Sequence, residues 1–285
     1  MHDYLVDRAP YAYCLESWCW KLIDLRVGTS GFSYEDWRGY FYPEHLKKSE
    51  MLQFYSSYFR AVEINSSYYT IPSPLVFDRM CEKTPDDFRF VVKAYKGLTH
   101  SDDLDSSTFN HFRQAIDPMW QSGKLGCILA QYPWNFKKDL RNMDRLKQFH
   151  DEFADIPVVV EFRNASWVSE DVFELMRIEH LGYCCVDEPR LRGLMPDTAI
   201  TTSQIGYVRF HGRNADKWWA HLESHDRYDY LYSESELEEW LPKVREIVEN
   251  TEQVFLFFNN HYEGKAVQNA QLLSRMLELN SCVIE

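Results

Sequence analysis

No stretch of this 285-residue chain approaches the ~20 consecutive apolar residues that a membrane-spanning helix needs, so no membrane partner is expected. A convincing secretory leader is also lacking, because Asp3, Asp7 and Glu16 interrupt any apolar segment near the N-terminus. The seven cysteines contain no CxxC pair, and Cys184 and Cys185 sit inside an apolar run. An odd count without a disulfide framework reads as reduced thiols, packed as small apolar groups in a cytoplasm. Basic residues are scarce: 31 Lys and Arg against 44 Asp and Glu leave a net charge of −13. That balance argues against extended nucleic-acid binding, since a phosphate backbone demands a basic face, yet it is compatible with a small basic pocket inside an acidic shell. Neither a Ser/Gly-rich linker nor a low-complexity stretch divides the chain. The expected organisation is an extension over residues 1–22, carrying Trp18, Cys19 and Trp20, followed by one domain over 23–285.

What is present is a rhythm of eight short apolar runs. They begin at Leu25, Ala61, Phe90, Cys127, Val158, Tyr183, Tyr207 and Val254, and most end in polar or charged residues. Each is rich in β-branched or aromatic residues and bounded by turn-forming or charged ones, which predicts a buried strand. Most intervals carry a helical period, predicting helices near 45–59, 74–83, 106–121, 138–153, 169–181, 234–250 and 264–279. Leu237, Trp240, Leu241, Val244, Ile247 and Val248 form one apolar stripe, and Ser233 with Glu236 makes a capping-box pattern before it. Gly182 stands where a left-handed residue would end the preceding helix. Between runs six and seven, two prolines and no sustained period predict a missing or irregular helix.

Alternating strands and helices fit either a parallel eight-stranded barrel or a doubly wound open sheet. The number of runs, the crossover-length intervals, the lack of a Gly-rich phosphate loop after the first run and the polar strand ends favour a TIM-barrel-like (β/α)8 fold.

Several segments then narrow the assignment. GTSGFSYEDWRGYFYP (Gly28–Pro43), VEINSSYY (Val62–Tyr69), PDDFRFVVKA (Pro85–Ala94), LAQYPWNF (Leu129–Phe136), VEFRNASW (Val160–Trp167), YVRFHGR (Tyr207–Arg213) and FFNNHYEGKAVQNA (Phe257–Ala270) run in order through nearly the whole chain. Together they resemble the YecE-like family, called domain of unknown function 72. The resemblance implies a TIM-barrel-like fold and supplies no reaction. Phe32 stands where that family usually has tryptophan, which keeps an aromatic ring in place.

Side chains alternate across a strand, so Glu63 with Asn65, Glu161 with Arg163, and Arg209 with His211 each share one strand face, with Asn259 behind Phe257. In a barrel the C-terminal strand ends form one mouth. There Lys93, Arg163, Arg209 and Arg213 would supply positive charge. Asn65, Gln131, Asn259 and Asn260 would add amides, and Tyr68 a stacking ring. Glu63 or Glu161 is the expected general base and His211 the expected general acid. The same charges could instead neutralise one another in an interior ion-pair lattice. His100 and His261 could also reach the mouth, whereas His221 and His225, spaced i, i+4 without a HExxH glutamate, read as surface residues. Aromatic loop residues, Trp37, Trp134 and Trp167 among them, could stack on a sugar or base or pack loops onto the rim.

The resulting expectation is an enzyme, a hydrolase or lyase, acting on a small anionic substrate such as a phosphorylated or carboxylated sugar or nucleotide, held by arginine's planar fork. The alternatives are a metal-dependent phosphodiesterase resembling barrel endonucleases, with Glu63, Glu161 and His211 as ligands, and a non-catalytic anion-binding or sensing barrel. A glycosidase built on the two carboxylates is a weaker fourth. No metal site, cofactor or oligomeric state follows from the sequence.

Overall fold

A computed structural model describes residues 24–102, 105–153, 155–220 and 226–281. The expected extension over 1–22, with Trp18, Cys19 and Trp20, lies outside these residues, as do His221 and His225. The eight strands are β1 (Asp24–Thr29), β2 (Ala61–Ile64), β3 (Arg89–Lys93), β4 (Leu125–Gln131), β5 (Val158–Glu161), β6 (Gly182–Asp187), β7 (Ile205–Phe210) and β8 (Gln253–Phe258). They pair in parallel in the order β1-β8-β7-β6-β5-β4-β3-β2. The result is a TIM-like (β/α)8 barrel. Six of the strands, β2 and β4 to β8, are buried almost end to end, as a parallel sheet covered by helices requires.

The barrel closes between β1 and β2 by less than a full ladder. A single parallel bridge joins Ser30 to Glu63, and the Gly31 amide donates to the Glu63 carbonyl at 2.7 Å. A tyrosine completes the closure. From the helix α1 (Met51–Ser56), Tyr55 extends its hydroxyl between the two strands, accepting from the Thr29 amide at 2.9 Å and donating to the Ala61 carbonyl at 3.1 Å. Gly28 is required here, because a Cβ at that position would lie 2.3 Å from the Ala61 carbonyl oxygen. That oxygen belongs to a strand and cannot step aside. Gly28→Ala should therefore force the closure apart and cost about 1–3 kcal/mol or more, the range for an overfilled core, measurable as a lower midpoint of denaturant unfolding. An unchanged midpoint would show that the closure is slack.

The remaining helices are α2 (Pro74–Glu82), α3 (Lys96–Thr99), α4 (Ser106–Gln121), α5 (Leu140–Glu152), α6 (Glu170–Ile178), α7 (Glu234–Glu238), α8 (Leu241–Glu249) and α9 (Lys265–Ser281). Three details depart from the sequence expectation. The helix over 45–59 contracts to a 3-10 turn at Lys48–Glu50 and the six residues of α1. The helix over 234–250 breaks in two around Glu239 and Trp240, because Pro242 has no N–H to give and fits only in a first turn. The apolar stripe survives the break, with Leu237, Trp240, Val244, Ile247 and Val248 all buried. Gly182 opens β6 and does not end α6; the left-handed residue there is His180, at φ 52°. As expected, no helix forms between β6 and β7. Among the described residues no helix is long and apolar enough to cross a membrane.

Candidate active site in the barrel mouth

The strand parity brings most of the expected charges to one end of the barrel, where they form a buried lattice. At its centre is Arg209, on β7 and fully enclosed. Its Nη2 lies 2.6 Å from Glu63 Oε1, and its Nη1 pairs with Glu161 Oε2. Both carboxylates are themselves fully buried. The second oxygen of Glu63 accepts from the Tyr207 hydroxyl at 2.7 Å, and the second oxygen of Glu161 lies 2.9 Å from His211 Nε2. Asn259 Nδ2 stands 3.1 Å from His211 Nδ1. A neutral imidazole protonated on Nε2 satisfies both contacts, donating to Glu161 and accepting from Asn259.

Burial opposes the charge on Glu161, but Arg163, Arg209 and His211 together hold it well below the usual carboxylate range. Burial also drives His211 far below the usual imidazole value, helped by the positive charge of Arg163 and resisted by Glu161. The lattice is thus a glutamate–arginine–glutamate row with a neutral histidine at one end.

Arg163 connects this floor to open space. Its Nε lies 2.7 Å from Glu161 Oε1, an ion pair in which the N–H is not aimed well enough to count as a hydrogen bond. Its Nη1 reaches toward Glu188 Oε2 at 3.5 Å. Above it lies a cavity of about 230 Å³ whose walls include Gln131, Trp134, Arg163, Glu188, Trp218 and Tyr228. Glu188 follows β6. Its Oε1 accepts from the Met195 amide at 2.9 Å, and burial raises its carboxyl to about 7 despite Arg163. Beside the cavity, Lys93 Nζ donates to Gln131 Oε1 at 2.8 Å and sits 4.5 Å from the centre of the Tyr68 ring. Burial and then the charge of Arg209 bring Lys93 down to about 7. Two groups that exchange protons near neutrality therefore flank one arginine.

Other expected residues have different partners. Arg213 leaves the mouth, because Gly212 adopts φ 90° and turns the chain out of strand geometry. Arg213 then pairs with Asp187 at 2.7 Å on the outer side of the barrel, where Asp187 also accepts from Tyr232 at 2.7 Å and Trp240 at 2.6 Å. Asn260 donates to the Tyr230 carbonyl and to Asn269, fastening a loop. Asn65 follows β2 with its Oδ1 buried and without a hydrogen-bond partner. His100 packs edge-on against Tyr68, and His261 stacks on Tyr34. Trp37 and Trp167 are fully buried, so they pack loops and present no face to a ligand. Among the described residues no three or more His, Cys, Asp or Glu side chains are grouped to hold a metal ion.

Sequence reasoning passed over Glu188, Tyr207, Tyr228 and Trp218. A signal existed for two of them. Glu188 shares the parity of Cys184, which lies near enough to Glu161 and Arg209 to sense their charges, and Tyr207 shares that of Arg209. Tyr228 and Trp218 arrive on a loop and had no such signal.

A family model described as "Protein of unknown function DUF72" matches residues 26–283. Among curated proteins, the UPF0759 protein YunF of Bacillus subtilis is 31% identical, with 89% of this chain and 94% of that protein covered. A solved DUF72 family protein from Thermotoga maritima is 41% identical with a TM-score of 0.83, covering 90% of this chain and 99% of the other. One from Enterococcus faecalis is 27% identical with a TM-score of 0.81, covering 89% and 95%.

Proposed function

The chain belongs to the DUF72 family of unknown function, and from the geometry of its mouth we propose an enzyme site, of the hydrolase or lyase class, for a small anionic substrate. The observation that carries this reading is Arg163. Its guanidinium lines the cavity, while its nearest acid on that side, Glu188, is largely protonated below pH 7 and neutralises little of the charge. The floor beneath holds two carboxylates, Glu63 and Glu161, against Arg209, and Arg163, paired to Glu161 through Nε, brings the row to neutrality. Arg163 thus sets a cation on the cavity side of a neutral row, and arginine's fork suits a phosphate or carboxylate. Gln131 supplies an amide beside it, with Lys93 behind.

In this reading Glu188 is the proton donor to a leaving group, since its raised carboxyl holds a proton at the pH where it is needed. Glu63, Glu161 and His211, expected from sequence to do the acid–base work, take a supporting role. They are fully enclosed and mutually paired, and a carboxylate held well below its usual range is a poor base. The same pairing weighs against divalent-metal chemistry at these three residues, since Glu63 and Glu161 spend their oxygens on Arg209, Tyr207 and His211. Binding without turnover is the second reading, favoured by the presence of one carboxyl, Glu188, on the cavity wall. Turnover of any member of a phosphate-ester and carboxylate substrate panel, lost in Glu188→Gln, separates the two.

Anion recognition is tested by thermal melts at constant ionic strength. Phosphate, sulfate or acetate should raise the melting temperature through preferential binding to the native state, and Arg163→Ala should abolish the increment. Arg163→Ala is the appropriate variant because Arg209 lies enclosed below the cavity. An equal rise with chloride, or one that persists in Arg163→Ala, would overturn the reading.

A further inference from the structure

Two large apolar side chains stand in water at the lip of the same cavity. Trp134, between β4 and α5, is 41% exposed, and Trp219, between β7 and α7, is 55% exposed. Isolated exposed aromatics are ordinary. These two come from loops on different strands and meet at one opening, their ring centres 5.9 Å apart and their planes at 77°. Trp134 is held in place by Lys137, 5.2 Å from its ring, and the β6–β7 loop passes beside the indole at Gly193, whose φ of 86° favours glycine.

Perpendicular indoles make a corner. A flat ring can lie face to face on one wall while turning its edge to the other, the two arrangements that an aromatic quadrupole favours. The floor of the same cavity presents Arg163. Size gives a further limit: a cavity of about 150 Å³ is known to hold one benzene ring, so about 230 Å³ fits a single six-membered ring with one anionic group attached.

We propose that the substrate of this site is a monocyclic anion, its ring seated in the Trp134–Trp219 corner and its carboxylate or phosphate on Arg163. The proposal rests on the anion reading above and adds the shape of the remainder of the ligand. Both an aromatic acid and a sugar acid have the required chemistry, a flat apolar face plus one anion.

Calorimetric titration of the full-length protein with two matched pairs distinguishes them: benzoate against hexanoate, and glucuronate against open-chain gluconate. In at least one pair the cyclic member should bind about tenfold tighter, a difference of ~1.4 kcal/mol. Trp134→Ala and Trp219→Ala should bring that ratio toward one while leaving the open-chain affinity in place. Both side chains are exposed, so these variants should keep the native far-ultraviolet dichroism. Arg163→Ala should weaken cyclic and open-chain members alike. Equal affinities within both pairs, or a ratio that survives both tryptophan variants, would overturn the ring proposal and leave anion binding standing. Failure of all four anions to bind would overturn both.

Discussion

Arg209→Ala should destabilise the barrel by about 3–5 kcal/mol, the cost of removing one partner from a buried ion pair and leaving the other charge enclosed. Here two carboxylates are left, Glu63 and Glu161, neither with access to solvent. Because a native protein is stable by only about 5–15 kcal/mol, this single change should consume a large share of the total. The loss should be recovered in part when the charges are removed together, as in Arg209→Met with Glu63→Gln and Glu161→Gln. A buried ionic group is often replaceable as a unit where it is not replaceable singly. Urea unfolding of the single and triple variants makes the comparison. A loss below about 1 kcal/mol for Arg209→Ala, typical of surface pairs, would mean that water reaches the floor.

The second large effect concerns acidity, and its sign differs between groups. His211 is neutral in the fold and far below the 6.5 of a free imidazole, so under pH 6.5 the unfolded chain takes up a proton that the fold refuses. Stability from His211 is present above pH 6.5 and is lost as pH falls. Glu161 behaves likewise below 4.5, where the unfolded carboxyl protonates and the folded one does not. Glu188 has the opposite sign: raised from 4.5 to about 7, it favours the fold below 4.5 and loses that contribution as pH rises through 7.

One proton of difference is worth about 1.4 kcal/mol per pH unit. Between pH 4.5 and 6.5 His211 and Glu188 therefore oppose one another, while His100, lowered by burial to about 4, acts with His211, so wild-type stability should rise with pH at about the single-proton slope. Below 4.5 His211 and Glu161 act together, and stability should fall at up to about twice the single-proton slope. Glu188→Gln should steepen that upward slope to about twice its value, and His211→Gln should make the window nearly flat. A chemical-denaturation profile measured across this range reads all three. Matching profiles for wild type and Glu188→Gln would remove Glu188 from the set of buried acids.

Much of the barrel was legible in the chain because a parallel strand buried on both faces leaves a compact signature. Runs such as VVVEFRN and VFLFFNN are short, β-branched or aromatic, and end in polar residues. The same alternation placed Glu63, Glu161, Arg209 and His211 at one end of the barrel. What alternation cannot tell is depth. Arg209 meets Glu63 across 146 residues of sequence, and only the curvature of the sheet determines that these two pair at the floor while Arg163 rises to the cavity. Arg213 shows the other limit. It has the parity of Arg209, but Gly212 bends the backbone between them and cancels the rule. Glu188 was passed over because its significance lies in burial, which gives one glutamate a proton and takes it from another.

The incomplete ladder between β1 and β2 gives the sheet the form of a split ring. On one lip β1 is paired along its whole length with β8, and on the other β2 is paired with β3. Across the gap run one backbone bridge, one tyrosine hydroxyl and the side chain of Glu63, whose charge is drawn toward Arg209 on the far side of β8. The charge row under the mouth is therefore also the clasp of the ring. Its strength governs how readily the first strand can part from the second. The residues that shape the floor of the pocket and those that keep the cylinder shut are the same, so the site exists only while the clasp is fastened.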